Sequence, residues 1–342
     1  MEVDFEVFEI PELPLHKGGH LPCARLAYKT WGTLSRNRDN AILFPTWYAA
    51  NHRHNAWLVG PGRALDTDRY FIISPNLLGN GLSSSPSNTA APLDRMRFPL
   101  VTVFDNVEFQ RRLVAEHFGI QRLALVLGRS MGGQQAFQWA SSHPDMVGSV
   151  LPIECSARTT PHNHVFLEGV RAALTADSAW AGGDYERQPL AGVRAMGRVY
   201  AGWAMSQAFY RSGLHLLEGE GAVSIEEFLR KRWDGNFARC DANDLLSMIS
   251  TWQANDLADN ARHGGDWVAA LAAIRATAIV MPCRTDLYFP PEDSEAAVRH
   301  MPKAELRVIE SVWGHRAGGP GTDPKDIAFI ETAIRDLLDA TR

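Results

Sequence analysis

One serine stands between glycines where an apolar run gives way to a helical pattern. The stretch LALVLGRSMGGQQAFQWA covers residues 123–140, and the GRSMG within it places Ser130 between Gly128 and Gly132. A strand directly before G-x-S-x-G and a helix directly after it predict a tight elbow that lifts the serine hydroxyl above a sheet. Glycines at these two positions avoid a clash of Cβ with neighbouring backbone. The context favours nucleophilic catalysis by Ser130 over a plain glycine-rich turn with an N-cap serine.

Two residues further along the chain could activate this serine. A serine hydroxyl needs a base, and the base needs an orienting group, each on a loop at the same edge of the sheet. Asp286 follows the apolar run TAIVMP, and His315 follows the run ELRVI. Glu292 and Asp293 are the alternatives for the acid, although their positions are typical of first-turn carboxylates of a helix. We therefore predict the set Ser130, Asp286 and His315.

The other histidines are weaker candidates for the base. The chain has 12 histidines, and His315 has the strand-end position in the required order. His52 and His54 form one i, i+2 pair, and His162 and His164 form another. Neither pair has a nearby Asp, Glu or Cys to complete a metal-binding set. We interpret both pairs as loop or cap residues and expect no metal site.

The oxyanion of an acyl-transfer intermediate would need two N–H donors. Met131 N–H is predicted to lie at the N-terminus of the helix after the elbow, where the helix dipole supports it. The second donor is expected from the loop TWYAA at 46–50, after the run AILFP. Tyr48 N–H is the first choice and Trp47 N–H the alternative. The Trp47 side chain is also a candidate wall of the substrate pocket.

The elements that would position these residues alternate between strand and helix. Helix patterns cover 104–118, 131–143, 292–301 and 325–339. Because the apolar runs are continuous rather than alternating, they fit a mostly parallel sheet buried on both faces, an α/β architecture. FEVFEI and ARLAYKTW, within the first 35 residues, favour an antiparallel hairpin at one edge. The predicted strands are AILFP (41–45), YFIIS (70–74), LALVL (123–127), SVLPI (149–153), TAIVMP (277–282) and ELRVI (305–309).

This alternation stops between about residues 156 and 270. That region carries helical stretches at 163–176, 190–210, 225–231 and 241–254, with no strong strand signal. We predict a core made of 1–155 and 271–342, with 156–270 inserted as a helical cap over the sheet. Apolar cap segments such as VYAGWAMSQAF (199–209) could line a pocket, although cap core or a dimer interface suits most of them better.

Composition narrows the function classes. The 342 residues carry a formal net charge of -5 with interspersed signs, so nothing suggests a nucleic-acid surface. The four cysteines are far apart in the sequence, and we expect them to be small buried thiols in a reducing compartment. The sequence shows neither a signal-peptide pattern nor a membrane-span pattern, so we expect a cytoplasmic protein without membrane attachment. NLLGNGLSS (76–84) lacks a third glycine and a following helix pattern, so we interpret it as a rim loop. No cofactor is expected.

Several stretches together resemble the homoserine O-acetyltransferase family of the α/β-hydrolase superfamily. They are VGPGRALDTDRYFII, NLLGNG, GRSMGGQQAFQWA, TDLYFPP and GHRAGG, and the likeness continues into the predicted cap. The resemblance implies an α/β-hydrolase core with a helical cap. It also implies Ser130–Asp286–His315 as the triad, an acyl-serine intermediate, and a homodimer joined through the cap.

Two departures from the family pattern bear on the acyl acceptor. Family transferases carry an acidic residue after the catalytic histidine, which helps to hold the homoserine amino group, whereas Arg316 stands here. The family's cap arginine for the substrate carboxylate is matched by Arg194. The tyrosine expected seven residues on is Ala201, with Tyr200 adjacent. A cation facing an ammonium would repel it, so the sequence resembles the esterase branch of the family.

The sequence thus predicts a serine esterase that acts on short acyl esters, acetyl esters first. One alternative is an acyl-CoA-dependent O-acetyltransferase on homoserine or another alcohol, with acetyl-CoA as donor. Another is a non-catalytic α/β-hydrolase-like binding protein, which an intact serine, acid and histidine set argues against. The preferred acyl length and alcohol portion do not follow from the residues.

Overall fold

The computed structural model describes residues 4–218 and 221–340, whose strands form one eight-stranded sheet. The strands are β1 (Glu6–Pro14), β2 (His20–Trp31), β3 (Ala41–Leu43), β4 (Phe71–Pro75), β5 (Leu123–Arg129), β6 (Val147–Ile153), β7 (Thr277–Val280) and β8 (Ala304–Leu306). Their order in the sheet is β1-β2-β4-β3-β5-β6-β7-β8. β1 and β2 form an antiparallel edge hairpin, β2 pairs antiparallel with β4, and all other pairings are parallel. The predicted α/β architecture is confirmed.

The helices follow the predicted pattern with one notable interruption. A single helix was expected over 190–210, but Met205 is extended and Ser206 starts a new helix by accepting a hydrogen bond from Phe209 N. None of the described helices is long and apolar enough to cross a bilayer. The helices are α1 (Val103–Arg112), α2 (Met131–Ser142), α3 (Pro161–Thr175), α4 (Leu190–Ala204), α5 (Gln207–Arg211), α6 (Leu214–Glu218), α7 (Ile225–Phe228), α8 (Ala242–Gln253), α9 (Trp267–Ala272), α10 (Pro291–Val298) and α11 (Pro324–Ala340).

Helices cover both faces of the central strands. On β5, Leu123 and Val126 belong to the apolar cluster shared with α1 and α2, whereas Leu125 and Leu127 belong to the cluster shared with α11. Every residue of β6 is buried. This two-sided burial explains why the strands read as continuous apolar runs.

The region between α3 and α8 packs around its own aromatic cluster. Tyr48 and Tyr288, from the loops after β3 and β7, join the cap-region side chains in this cluster. Among the described residues of 156–270, the β pairing is limited to an isolated bridge between Arg158 and Asp256. The carboxyl edge of the sheet is therefore in direct contact with these helices. Leu257, Ala258, Ala270 and Leu271 belong instead to the apolar cluster that contains Leu123 and Val126 of β5.

The four cysteines are free thiols. Cys155 and Cys283 are buried and Cys240 is partly buried, as expected for small apolar side chains. Cys23 is exposed on β2, so the expectation of burial is wrong at this position.

Candidate active site

Ser130 occupies a strained elbow between β5 and α2. Its φ of 52° and ψ of -127° lie outside the regions that ordinary residues prefer, as the glycine–serine motif predicts. The Ser130 N–H donates to Ile153 O at 2.9 Å, which ties the elbow to β6. A Cβ on Gly128 would lie 2.2 Å from the Gly132 carbonyl, and one on Gly132 would lie 2.7 Å from Pro45 O. Both glycines are therefore required by close backbone contacts.

Asp286 and His315 meet at this edge of the sheet. Asp286 Oδ2 lies 2.8 Å from His315 Nδ1, and the carboxyl side chain is fully buried. Its other oxygen, Oδ1, accepts hydrogen bonds from Tyr288 N at 2.8 Å and Phe289 N at 3.3 Å. An ionised carboxylate is acceptor-only, so it selects the imidazole form with hydrogen on Nδ1 and leaves Nε2 as a base.

Aromatic rings and a glycine turn hold the His315 imidazole in place. The ring centroid of Tyr288 lies 4.5 Å from that of His315, and the Phe289 centroid lies 5.5 Å away. His315 sits in a short turn whose first residue, Gly314, has a φ of +61°. A Cβ at Gly314 would lie 2.7 Å from Ala204 O, so this glycine allows the turn to approach α4. The imidazole side chain is 14% exposed, which leaves it open on one side.

Ser130 and His315 open onto one cavity of about 530 Å³. This volume is within the usual range for small-molecule sites. Eight of the lining residues carry Trp, Tyr or Phe rings, and four are arginines. The lining residues are Trp47, Tyr48, Ala49, Ala50, Arg53, His54, Trp57, Arg129, Ser130, Tyr200, Ala204, Arg232, Trp233, Asn236, Phe237, Trp252, Tyr288, His315, Arg316, Gly319 and Pro320.

The predicted oxyanion donors lie on two sides of the elbow. Met131 is the first residue of α2, and Tyr48 lies in the loop after β3. Within the described chain, no hydrogen bond uses the N–H of Met131, Tyr48 or Trp47. The choice between Tyr48 and Trp47 is therefore open. The Tyr48 ring points into the aromatic cluster, where it stacks on Tyr200 with centroids 5.5 Å apart.

Arg194 is not part of the cavity. It lies on the exposed face of α4, whereas the inward face of that helix carries Val193, Met196 and Tyr200. At about 100° per residue, position 194 lies at the border of the buried face of α4, and its side chain is exposed. The structure thus places Arg194 on the surface of α4, outside the residues that line the cavity. Tyr200 and Ala204 do reach the cavity, in a segment that we expected to be mostly cap core.

Several cavity residues were missed by the sequence reasoning. Arg53, whose guanidinium pairs with Asp4, and His54 come from the segment that we interpreted as an ordinary loop. Arg232, 5.7 Å from the Trp233 ring centroid, comes from the cap. Arg53 and His54 could have been predicted as cavity residues, because residues 51–54 closely follow the predicted oxyanion loop. Arg232 could not, since only the packing of the cap places it near the sheet.

The histidine pairs have other roles. His52 is buried, with its ring nitrogens near Asp4 and Asn76, and burial lowers its pKa. The His162 ring packs on Trp203 with centroids 5.0 Å apart. No group of three or more metal-ligating side chains occurs in the parts of the chain that the structure describes.

Comparison with known proteins agrees with this architecture. A family model for the alpha/beta hydrolase fold matches residues 42–317, and the chain belongs to this family. A probable esterase of Corynebacterium glutamicum is 38% identical over 98% of this chain and 96% of its own length. The ethyl acetate hydrolase of Pseudomonas veronii is 37% identical over 98% of this chain and 95% of its own.

The relatives extend to transferases at lower identity. The homoserine O-acetyltransferase of Chlorobaculum parvum is 31% identical over 89% of this chain and 87% of its own. A solved structure of an acetylester hydrolase from Corynebacterium glutamicum superposes with a TM-score of 0.93 at 37% identity, covering 98% of this chain and 96% of that one. The resemblance to an esterase-like member of the homoserine O-acetyltransferase family is thereby confirmed.

Proposed function

We propose that the protein is a serine esterase that hydrolyses short acyl esters, acetyl esters in particular. The observation that carries the proposal is the 2.8 Å contact between Asp286 and His315, with His315 and Ser130 lining one cavity. Relatives over nearly the full length, described as a probable esterase and an ethyl acetate hydrolase, support the same reaction.

The proposed reaction has two halves. His315 Nε2 accepts the Ser130 proton while Oγ attacks the ester carbonyl carbon, and Asp286 stabilises the resulting imidazolium. The bond from carbon to the alcohol oxygen then breaks, His315 protonates that oxygen, and acyl-Ser130 remains. Water attacks the acyl carbon and gives a proton to His315. Ser130 leaves with that proton, which releases the acid.

Main-chain donors would stabilise the negative oxygen in both halves. We assign this role to the N–H groups of Met131 and Tyr48, with Trp47 as the alternative to Tyr48. The helix dipole of α2 strengthens the Met131 donor. Each donor of this kind typically contributes about 3 kcal/mol to transition-state stabilisation. The Trp47 side chain serves as a wall for the bound ester.

A homoserine O-acetyltransferase is the second candidate, because more distant relatives carry that description. The triad chemistry is the same, with acetyl-CoA as acyl donor and an alcohol in place of water. Arg316 is a lining residue of the cavity and follows His315 directly, at the position where the family's transferases carry an acid. A cation there disfavours the homoserine ammonium, so we favour water as the acceptor.

Hydrolysis of p-nitrophenyl acetate by the purified protein tests the esterase proposal. Ser130→Ala should lower kcat by about a thousandfold or more, because triad removal has this effect. Ser141→Ala is the matched control, since Ser141 is a buried serine of the same α2 that bonds Ala270 O away from the cavity. Equal activity of Ser130→Ala and wild type would remove the serine from the mechanism.

A parallel assay separates the two acceptors. Thiol release from acetyl-CoA is followed with and without homoserine. Release that depends on homoserine, together with inert simple esters, would establish the transferase instead. Failure of a fluorophosphonate to label Ser130 in the folded protein would favour a binding protein without catalysis.

We also propose that residues 156–270 act as a cap and join two copies of the chain. Exposed apolar side chains in this region support the second part: Val165 is 66% exposed, Leu217 78% and Val223 85%. A contiguous exposed apolar patch is typical of association sites, and we propose that these side chains contribute to one. Light scattering after gel filtration should give the mass of a dimer, and Leu217→Glu should give that of a monomer. A monomeric wild type would contradict the proposal.

A further inference from the structure

Two opposite charges are buried beside the candidate active site, at the ends of adjacent strands. Arg129 is the last residue of β5 and pairs in register with Ile153, the last residue of β6. Glu154 follows Ile153 and has a positive φ of 47°, which directs it back toward β5. The Arg129 guanidinium contacts the Glu154 carboxylate, and their side chains are 9% and 0% exposed. Burial of such a pair is costly unless further hydrogen bonds stabilise it.

The further hydrogen bonds go to the His315 loop. Arg129 Nη2 lies 2.9 Å from Ala317 O and 3.4 Å from His315 O. The same loop approaches the guanidinium at Gly319, where a Cβ would lie 3.0 Å from Nη1. One guanidinium therefore joins the residue before the nucleophile to the backbone that carries the base.

We propose that Arg129, held by Glu154, is a positioning residue that fixes the His315 backbone relative to Ser130. The proposal rests on the proposed function, in which His315 is the base. Asp286 fixes the imidazole from its Nδ1 side, and Gly314 N, which donates to Thr285 Oγ1, ties down the start of the turn. Arg129 binds the backbone carbonyls of His315 and Ala317 and is the last residue of the strand that leads into the serine. The distance between base and nucleophile is thus set by a chain of contacts that contains Glu154.

The Arg129–Glu154 pair also contributes to the electrostatics around His315. Burial raises the pKa of Glu154, and the Arg129 cation opposes that rise by favouring the carboxylate. Other titratable groups interact with Glu154: the carboxyls of Asp286 and Asp326 and the thiols of Cys155 and Cys283. Arg316 follows His315 directly. All of these groups remain in the variants below, so changes in titration report the pair.

The first experiment removes both charges at once. Arg129→Met with Glu154→Met replaces a buried ion pair by apolar side chains of similar volume, which proteins often tolerate without loss of stability. Since this variant cannot bind the two carbonyls of the His315 loop, kcat for p-nitrophenyl acetate should fall about 100-fold, as expected for a small misplacement of a catalytic group. Arg307→Met is the control, because it removes an ion-paired arginine that directly follows β8 and does not line the cavity.

The second experiment removes only the carboxylate charge. Glu154→Gln is nearly isosteric, and arginine stays protonated in proteins. The unneutralised cation beside His315 O should therefore disfavour the imidazolium. The pH at which His315 gains its proton should move down by on the order of half a pH unit. Nitrogen NMR measures this protonation of the imidazole without any turnover, and His315→Gln identifies the signal that belongs to His315. The acid limb of the pH profile of kcat/KM should move by the same amount.

The outcomes separate this inference from the proposed function. A folded double variant with kcat within about threefold of wild type would overturn the positioning role. An unchanged or raised His315 titration in Glu154→Gln would overturn it too, even if the double variant does not fold. An absence of Ser130-dependent hydrolysis in wild type would instead refute the proposed function, while the NMR titration would still test the pair.

Discussion

Replacing Asp286 by asparagine should disable the base while leaving its position intact. In the structure Asp286 Oδ1 accepts two main-chain N–H groups, from Tyr288 and Phe289. The asparagine carbonyl oxygen must take that side, because the amide nitrogen would face two donors there. The amide NH₂ then faces His315 Nδ1 in place of Oδ2. A donor at that position selects the imidazole form with hydrogen on Nε2, which cannot accept the Ser130 proton.

The expected loss follows from this tautomer change. Ground-state geometry is kept, so substrate binding should change little, whereas kcat should fall by about 10⁴, as for the equivalent change in serine proteases. This factor corresponds to about 5.5 kcal/mol of transition-state stabilisation. The assay is initial-rate hydrolysis of p-nitrophenyl acetate across substrate concentration, with circular dichroism to show that the variant is folded.

The neighbouring carboxylate provides the control. Asp293 was the rival acid in the sequence, and it lies in the first turn of α10 with its pKa raised by burial. Asp293→Asn should leave kcat within about threefold of wild type, because no step of the proposed mechanism uses it. Retention of more than a tenth of wild-type kcat by Asp286→Asn, or a larger loss in Asp293→Asn, would refute the tautomer argument.

Three further changes test separate parts of the site and fold. Gly128→Ala should destabilise the protein by about 3 kcal/mol in urea unfolding, since its Cβ would meet backbone at 2.2 Å. Tyr48→Phe should keep kcat within about threefold, because the proposed donor is the main-chain N–H and the hydroxyl lies in the aromatic cluster, 3.8 Å from Met196 Sδ. Burial raises the pKa of Asp244 to about 7. Up to about pH 7 the folded state therefore holds a proton that the unfolded chain has lost, and the melting temperature of wild type should fall relative to that of Asp244→Asn as the pH rises from about 4 to about 7.

Each of these predictions has a result that contradicts it. Wild-type stability of Gly128→Ala would mean that the elbow relaxes without cost. A hundredfold loss in Tyr48→Phe would assign chemistry to the hydroxyl. In Asp244→Asn the new side chain can keep both contacts with Ser87: its oxygen can accept from Ser87 N–H, and its NH₂ group can donate to Ser87 Oγ. Parallel melting curves for the two proteins at all pH values would show that the carboxyl does not titrate in this window.

The strands and the meeting of Asp286 with His315 were predictable because they depend on local patterns and chain order. Burial on both faces makes each central strand a continuous apolar run, which Leu123–Arg129 shows directly. In a parallel sheet, the residues just after such runs meet at one edge. Asp286 and His315 could therefore be paired from their strands alone, and the structure places them 2.8 Å apart.

The cap side of the cavity was not predictable in the same way. Arg194, which the family pattern predicts as a substrate anchor, and Tyr200 lie on one helix, α4. Only the packing of α4 on the sheet decides which face is inward, and it buries Tyr200 while exposing Arg194. The break before α5 could have been anticipated, because Ser206 is a favourable N-cap residue.

The Arg129–Glu154 pair shows what a sequence pattern can add when two strands are considered together. Each residue alone is a charge next to a buried strand, which predicts nothing specific. Equivalent positions at the ends of two adjacent parallel strands, however, are neighbours in space, and β5 and β6 are in register there. Opposite charges at such positions, beside the nucleophile, indicate a buried pair that must find further partners. The loop after β8 supplies them, and it is the loop that carries His315.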